Sequence, residues 1–418
     1  MKRVAFVSTY PPRRCGIGTY TQNLRQHLQV SLPSSVGHPV IVMSDEKTTV
    51  PRGGLYIPLL QNSRQSYPKM AEYLNHSDVD VVSLQHEFGI FGGEAGEYVL
   101  GLVENLTKPL VTTFHTVFKS PQEPYRFVQQ TLVKRSDALV VMSRTGVEYL
   151  RQAFRVPADK VFYIPHGTPV PPQQERQTLR RQLGWEGRQV ILTFGLLSRG
   201  KGIESILSAL PKVVAKVSNV LYVIAGQTHP EVRKREGESY RRELQQRVVR
   251  NGLSRHVMML DRYLEDVDLI RLITACDLYA TPYPGMEQIT SGTLAYAVGL
   301  GRPVLSTPYE YAKDLLQGFE ELLIPYGKTD DWVEKIIDFL TNSKLLALWS
   351  QRMATLGKDM HWGQVVRQYT RLFSQVTTRD LSLNPLELNT RASTLPTLTT
   401  VPSPVKSISY VSLESFGE

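Results

Sequence analysis

Short apolar runs alternate with helical stretches along almost the whole of this chain, and that alternation limits what it can fold into more than any other feature. The runs VAFVS (4–8), PVIVM (39–43), VDVVSLQ (79–85), PLVTTF (109–114), ALVVM (138–142) and KVFYI (160–164) read as six buried strands. Between the first two, Tyr20, Leu24 and Leu28 form an i, i+4, i+8 stripe just after Thr19, which is read as the N-cap of the first helix. Continuously apolar strands separated by helices imply a parallel sheet covered on both faces.

A Pro- and Gln-rich stretch, TPVPPQQERQ (168–177), interrupts this pattern, and a second alternation follows it. Its strands are QVILTFG (189–195), NVLYVIAG (219–226), HVMML (256–260), DLYATPY (277–283) and RPVLSTP (302–308). The helix after the first of these presents Ile203, Ile206, Leu207, Leu210, Val214 and Val217 on one face, with Pro211 as an expected kink. A helical region runs from about 330 to 373, and residues 376–418 turn to Ser, Thr, Pro and Leu with little periodicity. The expected organisation is a first α/β domain over 1–167, a linker over 168–185 and a second α/β domain over 186–375. The terminal helices of the second domain are expected to pack back on the first. The tail over 376–418 is expected to be disordered, because it cannot bury enough apolar surface to offset chain entropy. Two doubly wound sheets would then face each other across a cleft.

A chain of 418 residues is long enough for two such cores. Its 48 basic residues against 39 acidic give a net charge of +9, which suits a phosphate-bearing ligand or an anionic surface. No apolar run approaches the roughly 18 residues of a spanning helix. The start, MKRVAFVSTYPP, reads as a buried strand and not as a signal sequence. Cys15 and Cys276 stand far apart, so neither a zinc site nor a disulfide framework is indicated, and a cytoplasmic setting is expected.

Ligands of open parallel sheets bind beyond the carboxyl ends of the strands, so those positions are where chemistry is sought. After the first strand comes YPPRRCGIGTY, where Gly16 and Gly18 let backbone N–H groups approach an anion at a helix start. An ordinary tight turn would use glycines there too. Three further strands of the first half each end in a histidine: His86 in LQHEFG, His115 in TFHT and His166 in IPHG. Glu87 stands beside His86, and EFGIFGG supplies Gly89, Gly92 and Gly93 to a flexible loop. Single histidines are more often structural, but three at equivalent strand ends would face one cleft. In the second half, FGLLSRGKG places Lys201 at a helix start, where the macrodipole opposes a cation unless an anion intervenes, and Arg199 is two residues away. TPYPGMEQITSGTLAYA offers Glu287 and Gln288 for sugar hydroxyls, and Thr290, Ser291 and Gly292 as a helix opening for phosphate. The two Asp-Val-Asp triplets, 78–80 and 266–268, are rejected as metal sites: the first precedes its strand and the second opens a helix, where acids suit the dipole. The basic run 233–247 reads as a solvated helix face.

Taken together, GIGTY, TFHT, IPHG, the KG of SRGKG, EQITSGTLAYA and GRPVLST resemble glycosyltransferase family 4, the retaining group with the GT-B fold of two Rossmann-like domains, over about residues 1–375. The resemblance implies metal-independent transfer from a nucleoside-diphosphate sugar bound mainly by the second domain. It places Gly16 and Gly18 near the diphosphate and acceptor, His115 at the donor sugar, Lys201 at the phosphates and Glu287 at the sugar hydroxyls. Tyr263 and Leu264 match a segment whose backbone meets the base. Two positions depart from the family. Leu196 stands where an arginine is common, with Arg199 nearby. The usual second glutamate, which binds ribose, is absent: one register reaches Ala295, and the other reaches Tyr296 and pairs with Gln288.

The expected activity is therefore retaining transfer of a hexose from a nucleoside-diphosphate sugar to a saccharide, lipid or small-molecule acceptor. The catalytic residues would be His115, Lys201 and Glu287. The donor side would add Gly16, Gly18, Arg199, Tyr263, Leu264, Gln288, Thr290, Ser291 and Gly292, and the acceptor side His86, Glu87 and His166. No metal or cofactor is expected beyond the nucleotide sugar as co-substrate, and no nucleic-acid partner. Peripheral contact with an anionic membrane at its inner face is the further expectation. A nucleotide-sugar 2-epimerase of the same fold, or a non-catalytic sugar-nucleotide-binding relative, stands as the alternative.

Overall fold

The structure is a computed structural model and describes residues 2–30, 37–45, 50–51 and 53–378. Seven strands form the first sheet: β1 (Val4–Ser8), β2 (Val40–Ser44), β3 (Tyr56–Leu60), β4 (Val81–His86), β5 (Leu110–Phe114), β6 (Ala138–Val141) and β7 (Val161–Tyr163). Every pairing in it is parallel, in the order β3-β2-β1-β4-β5-β6-β7. The second sheet holds β8 (Gln189–Phe194), β9 (Val220–Ala225), β10 (Val257–Leu260), β11 (Leu278–Thr281) and β12 (Val304–Ser306), again all parallel, in the order β10-β9-β8-β11-β12. The first sheet is flanked by α1 (Gly16–Gln29), α2 (Ser66–His76), α3 (Val99–Val103), α4 (Tyr125–Arg135) and α5 (Arg144–Phe154). The second half carries α6 (Arg176–Gln182), α7 (Ile203–Val214), α8 (Pro230–Glu236), α9 (Ser239–Arg250), α10 (Asp266–Ala275), α11 (Gly292–Gly299) and α12 (Glu310–Leu315). The chain closes with α13 (Thr329–Thr341), α14 (Ser343–Gly357) and α15 (Trp362–Thr378).

All eleven strands read from apolar runs are present. The additional one, β3, pairs with β2 at the sheet edge, with Pro58 opposite Val42. Its sequence YIPLL carries a proline and is fully buried only at Leu59, which hides it from a search for buried runs; an edge strand tolerates both. The central strands β1, β2, β4 and β5 are buried at every position, as a sheet covered on both faces requires. Pro211 lies inside α7 without ending it before Val214.

Residues 168–185 hold α6, and Leu179 and Trp185 there are buried in the second-domain core. The last helix crosses back: Trp362, Val365, Val366, Tyr369, Leu372 and Phe373 share a buried cluster with Phe6, Tyr20, Leu24 and Leu28 of the first domain. A Cβ on Gly167 would stand 2.3 Å from the Trp362 ring, so that residue must be glycine for α15 to seat. α15 runs on to Thr378, and the rest of the 376–418 tail lies outside the described residues.

Candidate active site

In each sheet the strand order reverses once, between β1 and β4 in the first and between β8 and β11 in the second. A crevice opens at such a switch point beyond the carboxyl ends of the strands. The loops after these four strands all line one cleft of about 1910 Å³ between the two domains. They contribute Gly16, Glu87, Lys201 and Glu287 among others.

On the first-domain side, α1 begins four residues earlier than the sequence suggests. Its N-cap is Cys15, in extended conformation and without a side-chain cap bond, and Thr19 lies one turn inside with its hydroxyl 3.3 Å from the Cys15 carbonyl. The first turn thus keeps its N–H groups uncapped beside the cleft. The two glycines divide the work. Gly16 has open space around its missing side chain, whereas a Cβ on Gly18 would stand 3.3 Å from the Tyr10 nitrogen, so Gly18 lets α1 settle on the segment after β1.

On the second-domain side, Lys201 closes a short turn before Gly202, which is left-handed and begins α7. Lys201 Nζ donates to Tyr283 Oη at 2.8 Å, and no carboxylate lies within ion-pairing distance of it among the described residues. Ser291 is the N-cap of α11 and accepts from Leu294 N–H, which leaves the Gly292 and Thr293 N–H groups at the cleft without a partner among the described residues. Thr290 Oγ1 is buried without a partner. Gln288 donates to the Thr290 carbonyl at 2.6 Å, and Glu287 is exposed on the cleft wall. Ile289, between them, is buried in the core of the first domain and ties the two halves together.

Arg199 does not join this set. Its guanidinium turns to α9, 2.8 Å from Glu243 and 3.8 Å from Glu236, over the Tyr240 ring, and it is absent from the cleft lining. Two acids within reach on neighbouring helices outcompete the cleft, so Arg199 does not stand in for an arginine at Leu196. Tyr263 and Leu264 do line the cleft. Tyr263 Oη lies 3.1 Å from Thr19 Oγ1 across the domains.

The three histidines separate. His115 and His166 line the cleft on either side of Tyr20, with ring centroids 5.3 and 5.1 Å from it. His115 Nε2 lies 3.1 Å from Gln85 Oε1, whose own amide nitrogen faces Ser83 and Thr113, so Nε2 carries the proton and Nδ1 is left as an acceptor. His166 Nδ1 donates to the Gly167 carbonyl at 2.8 Å. A Cβ on Gly292 would stand 3.0 Å from His166 Nε2, so the glycine that opens α11 also makes room for this ring. Burial pushes His115 down to about 3, helped by His166 and His86 nearby, and pushes His166 down to about 4. Both rings are neutral at physiological pH. His86 is no cleft residue: it is the last residue of β4, and its ring lies among Phe88, Phe91 and Phe114 with neither nitrogen bonded. Alternation along the strand sends it to the core and its neighbour Glu87 to the cleft. Glu87 accepts from Thr116 Oγ1 at 2.5 Å and from Phe88 N–H at 3.1 Å, while burial raises its pKa.

The cleft also holds residues that were not singled out in the sequence. Arg14 reaches across to Gln227 Oε1 at 2.6 Å and lies over the Tyr263 ring, and Arg13 bonds Gln61 Oε1 at 3.0 Å. Their only sequence signal was the basic pair ahead of the glycines. Asp266, set aside in the sequence with its triplet as a metal site, also lines the cleft, accepts from Asn23 Nδ2 at 2.7 Å, and has its pKa raised by burial. The same amide lies 3.4 Å from Tyr296 Oη, at the position where the second glutamate was sought. Asp268 faces away, paired with Arg262 at 2.8 Å, and Asp78 and Asp80 bind Arg3 at the other end of the sheet. The basic run 233–247 spans α8 and α9, and most of its charges are paired: Arg233 with Glu238, Lys234 with Glu231, Arg241 with Asp261 and Arg247 with Glu243.

Two facing doubly wound domains with the working loops at their switch points are the GT-B architecture of glycosyltransferases. Residues 15–170 match the model of Glycosyltransferase Family 4, and residues 188–342 match that of Glycosyl transferases group 1. The chain belongs to this family of glycosyltransferases. It is similar to a phosphatidyl-myo-inositol mannosyltransferase of Mycolicibacterium smegmatis, 22% identical over 370 residues that cover 82% of this chain and 86% of the relative. Among solved structures, the sucrose-phosphate synthase of Thermosynechococcus elongatus superposes with a TM-score of 0.73 at 17% identity, over 91% of this chain and all of that one. The Anabaena protein HepE, solved with UDP and glucose, gives 0.69 at 17% identity, over 90% and 100% of the two chains. No helix among the described residues is long and apolar enough to cross a membrane.

Proposed function

We propose that this glycosyltransferase is a retaining, metal-independent hexosyltransferase that takes its sugar from a nucleoside diphosphate. Residues 186–375 hold the donor, and residues 1–167 form the acceptor side. The observation that carries this reading is the pairing of Lys201, an ammonium without a counter-ion among the described residues, with the free Gly292 and Thr293 N–H groups in the first turn of α11 on one wall of the cleft. A cation and aligned backbone dipoles stabilise a departing diphosphate as its negative charge grows. They supply the neutralisation that a metal would otherwise give, so neither metal nor cofactor is needed. The similar protein HepE, solved with UDP and with UDP-glucose, supports a nucleotide-sugar donor, and the mannosyltransferase relative supports a sugar or lipid acceptor.

In this reading His115, held neutral, accepts a hydrogen bond from a donor-sugar hydroxyl through Nδ1, and Glu287 accepts from others. Gly16 and Gly18 keep the start of α1 close to the diphosphate. Glu87 and His166 face the acceptor, which is a saccharide, a lipid or a small molecule; a lipid acceptor would bring the enzyme against an anionic membrane face. The acceptor attacks from the side the leaving group occupies, and the departing phosphate takes its proton, which keeps the anomeric configuration. Closure of the domains excludes water and limits donor hydrolysis.

The test is a panel of nucleotide sugars scored by thermal stabilisation and then turnover, with wild type and Lys201→Ala. A bound donor at 100 times its dissociation constant adds about 2.7 kcal/mol. Lys201→Ala is expected to lower turnover by a factor on the order of 10²–10³, about 3–4 kcal/mol, by analogy with loss of one oxyanion donor. Its apo melting temperature should stay close to that of wild type. Turnover within about threefold of wild type, against that expectation, removes Lys201 from the chemistry.

A further inference from the structure

Tyr283 stands just beyond the carboxyl end of β11, buried, its ring stacked on Tyr309 with centroids 5.2 Å apart and planes 21° from parallel. Its hydroxyl nevertheless meets the cleft wall. Lys201 Nζ donates to Tyr283 Oη at 2.8 Å, Oη lies 2.8 Å from Thr293 Oγ1, and Thr293 Oγ1 lies 3.2 Å from Ser291 Oγ. An ammonium has only protons to give, so Oη accepts from Lys201, and Oη and Thr293 Oγ1 share a hydrogen bond in which either hydroxyl can donate. Thr293 Oγ1 in turn shares a hydrogen bond with Ser291 Oγ, the N-cap oxygen of α11. One run of hydroxyls therefore joins the Lys201 ammonium to the capping oxygen at the start of α11.

The surroundings fix the lysine as well as bond it. Nζ lies 4.4 Å from the centroid of the Tyr283 ring. A Cβ on Gly195 would stand 3.3 Å from Nζ, and its φ of +131° is open to glycine, so the slot exists because residue 195 has no side chain. A lysine on a solvated stem gives up rotamer freedom when a ligand orders it. Here that freedom is spent before any ligand arrives.

We propose that Tyr283 is a positioning residue, which holds the Lys201 ammonium and the first turn of α11 as one preorganised unit for the terminal phosphate of a nucleoside diphosphate. The assignment rests on the nucleotide-sugar reading above. Tyr283→Phe keeps the ring on Tyr309 and removes only the hydroxyl. The experiment is calorimetric titration with UMP and UDP, GMP and GDP, and AMP and ADP, for wild type, Tyr283→Phe, Lys201→Met and the double variant. The quantity read is the ratio of monophosphate to diphosphate dissociation constants, which isolates the terminal phosphate and needs neither donor sugar nor acceptor.

Tyr283→Phe is expected to shrink that ratio about tenfold while the monophosphate constant stays within about twofold. Lys201→Met should shrink it at least as much, and the double variant no further. An unchanged ratio in Tyr283→Phe beside a reduced one in Lys201→Met overturns the proposal and spares the reading of Lys201. Equal weakening of monophosphate and diphosphate also overturns it, since that is the mark of a structural role. A ratio that Lys201→Met leaves unchanged overturns both. If Tyr283→Phe does not fold, Thr293→Val, which removes the hydroxyl that links Tyr283 Oη to Ser291, is judged by the same ratio.

Discussion

Four histidines hold neutral imidazoles inside this fold: His38 and His166 pushed down to about 4, His86 and His115 to about 3, each chiefly by burial. In an unfolded chain a histidine titrates near 6.5. Below that value the unfolded chain binds protons that the folded chain refuses, so stability rises with pH across the window from about 3–4 to 6.5 and is lost as pH falls through it. Each such histidine costs up to about 1.4 kcal/mol per pH unit. The melting temperature should therefore be level above pH 7 and fall steeply between pH 6.5 and 5. His86→Leu should flatten that fall and raise stability at pH 5, because it removes one refused proton and two unbonded buried nitrogens. A melting temperature that does not move between pH 7.5 and 5 contradicts the neutral burial of these rings. At this scale the sequence showed that His86, His115 and His166 stand at equivalent strand ends of one sheet. It did not show the side to which each ring turns. That depends on where the strand's alternation stops, and a one-residue difference sends His86 among phenylalanines and Glu87 to the cleft. Arg199 was misplaced for a similar reason, since Glu243 and Glu236 come from helices distant in sequence.

Among the elements, α15 does the most for its length. Six of its side chains are buried in a cluster with β1 and α1, and Tyr369 Oη lies 3.0 Å from Tyr20 Oη and 3.1 Å from Thr113 Oγ1. Full burial of each large apolar side chain contributes about 1.5–3 kcal/mol, so the helix contributes as much as the whole stability of an ordinary domain, about 5–15 kcal/mol. A chain ending at His361 should accordingly lose cooperative melting of its first domain, read by calorimetry. A truncated chain that melts within about 3 °C of the full one, a shift worth 1 kcal/mol or so, contradicts that packing. Apolar runs alone identified every central strand, because strands covered on both faces must be apolar throughout. They did not reveal β3, whose proline and exposed positions only an edge permits. They also gave no sign that α1 starts without a side-chain cap, since Thr19 is the better capping residue and the helix does not use it.

Across the whole molecule, two sheets that share no sequence converge on one device, a strand order that reverses where ligands bind. The halves meet through polar contacts, Thr19 with Tyr263 and Asn23 with Asp266, and through Ile289 buried in the opposite core. A site split in this way is complete only when both domains face each other, which suits a reaction that must hold donor and acceptor together and keep water out. The glycine loop, TFHT, IPHG, SRGKG and the EQITSG turn pointed to this cleft from sequence because each follows a strand. The cross-cleft partners Arg14, Asn23 and Asp266 did not announce themselves, because only the packing of one domain on the other gives them a role. The central claim is that the cleft transfers a hexose from a nucleotide sugar with retention and without a metal. Its most direct test is proton NMR of the enzyme with its nucleotide-sugar donor in EDTA, following the anomeric signals before mutarotation scrambles them, first without acceptor and then with one. Nucleoside diphosphate is expected to be released in EDTA, and the freed or transferred sugar to appear first as the anomer it had in the donor. First appearance of the opposite anomer, or no release until magnesium or manganese is supplied, would contradict it.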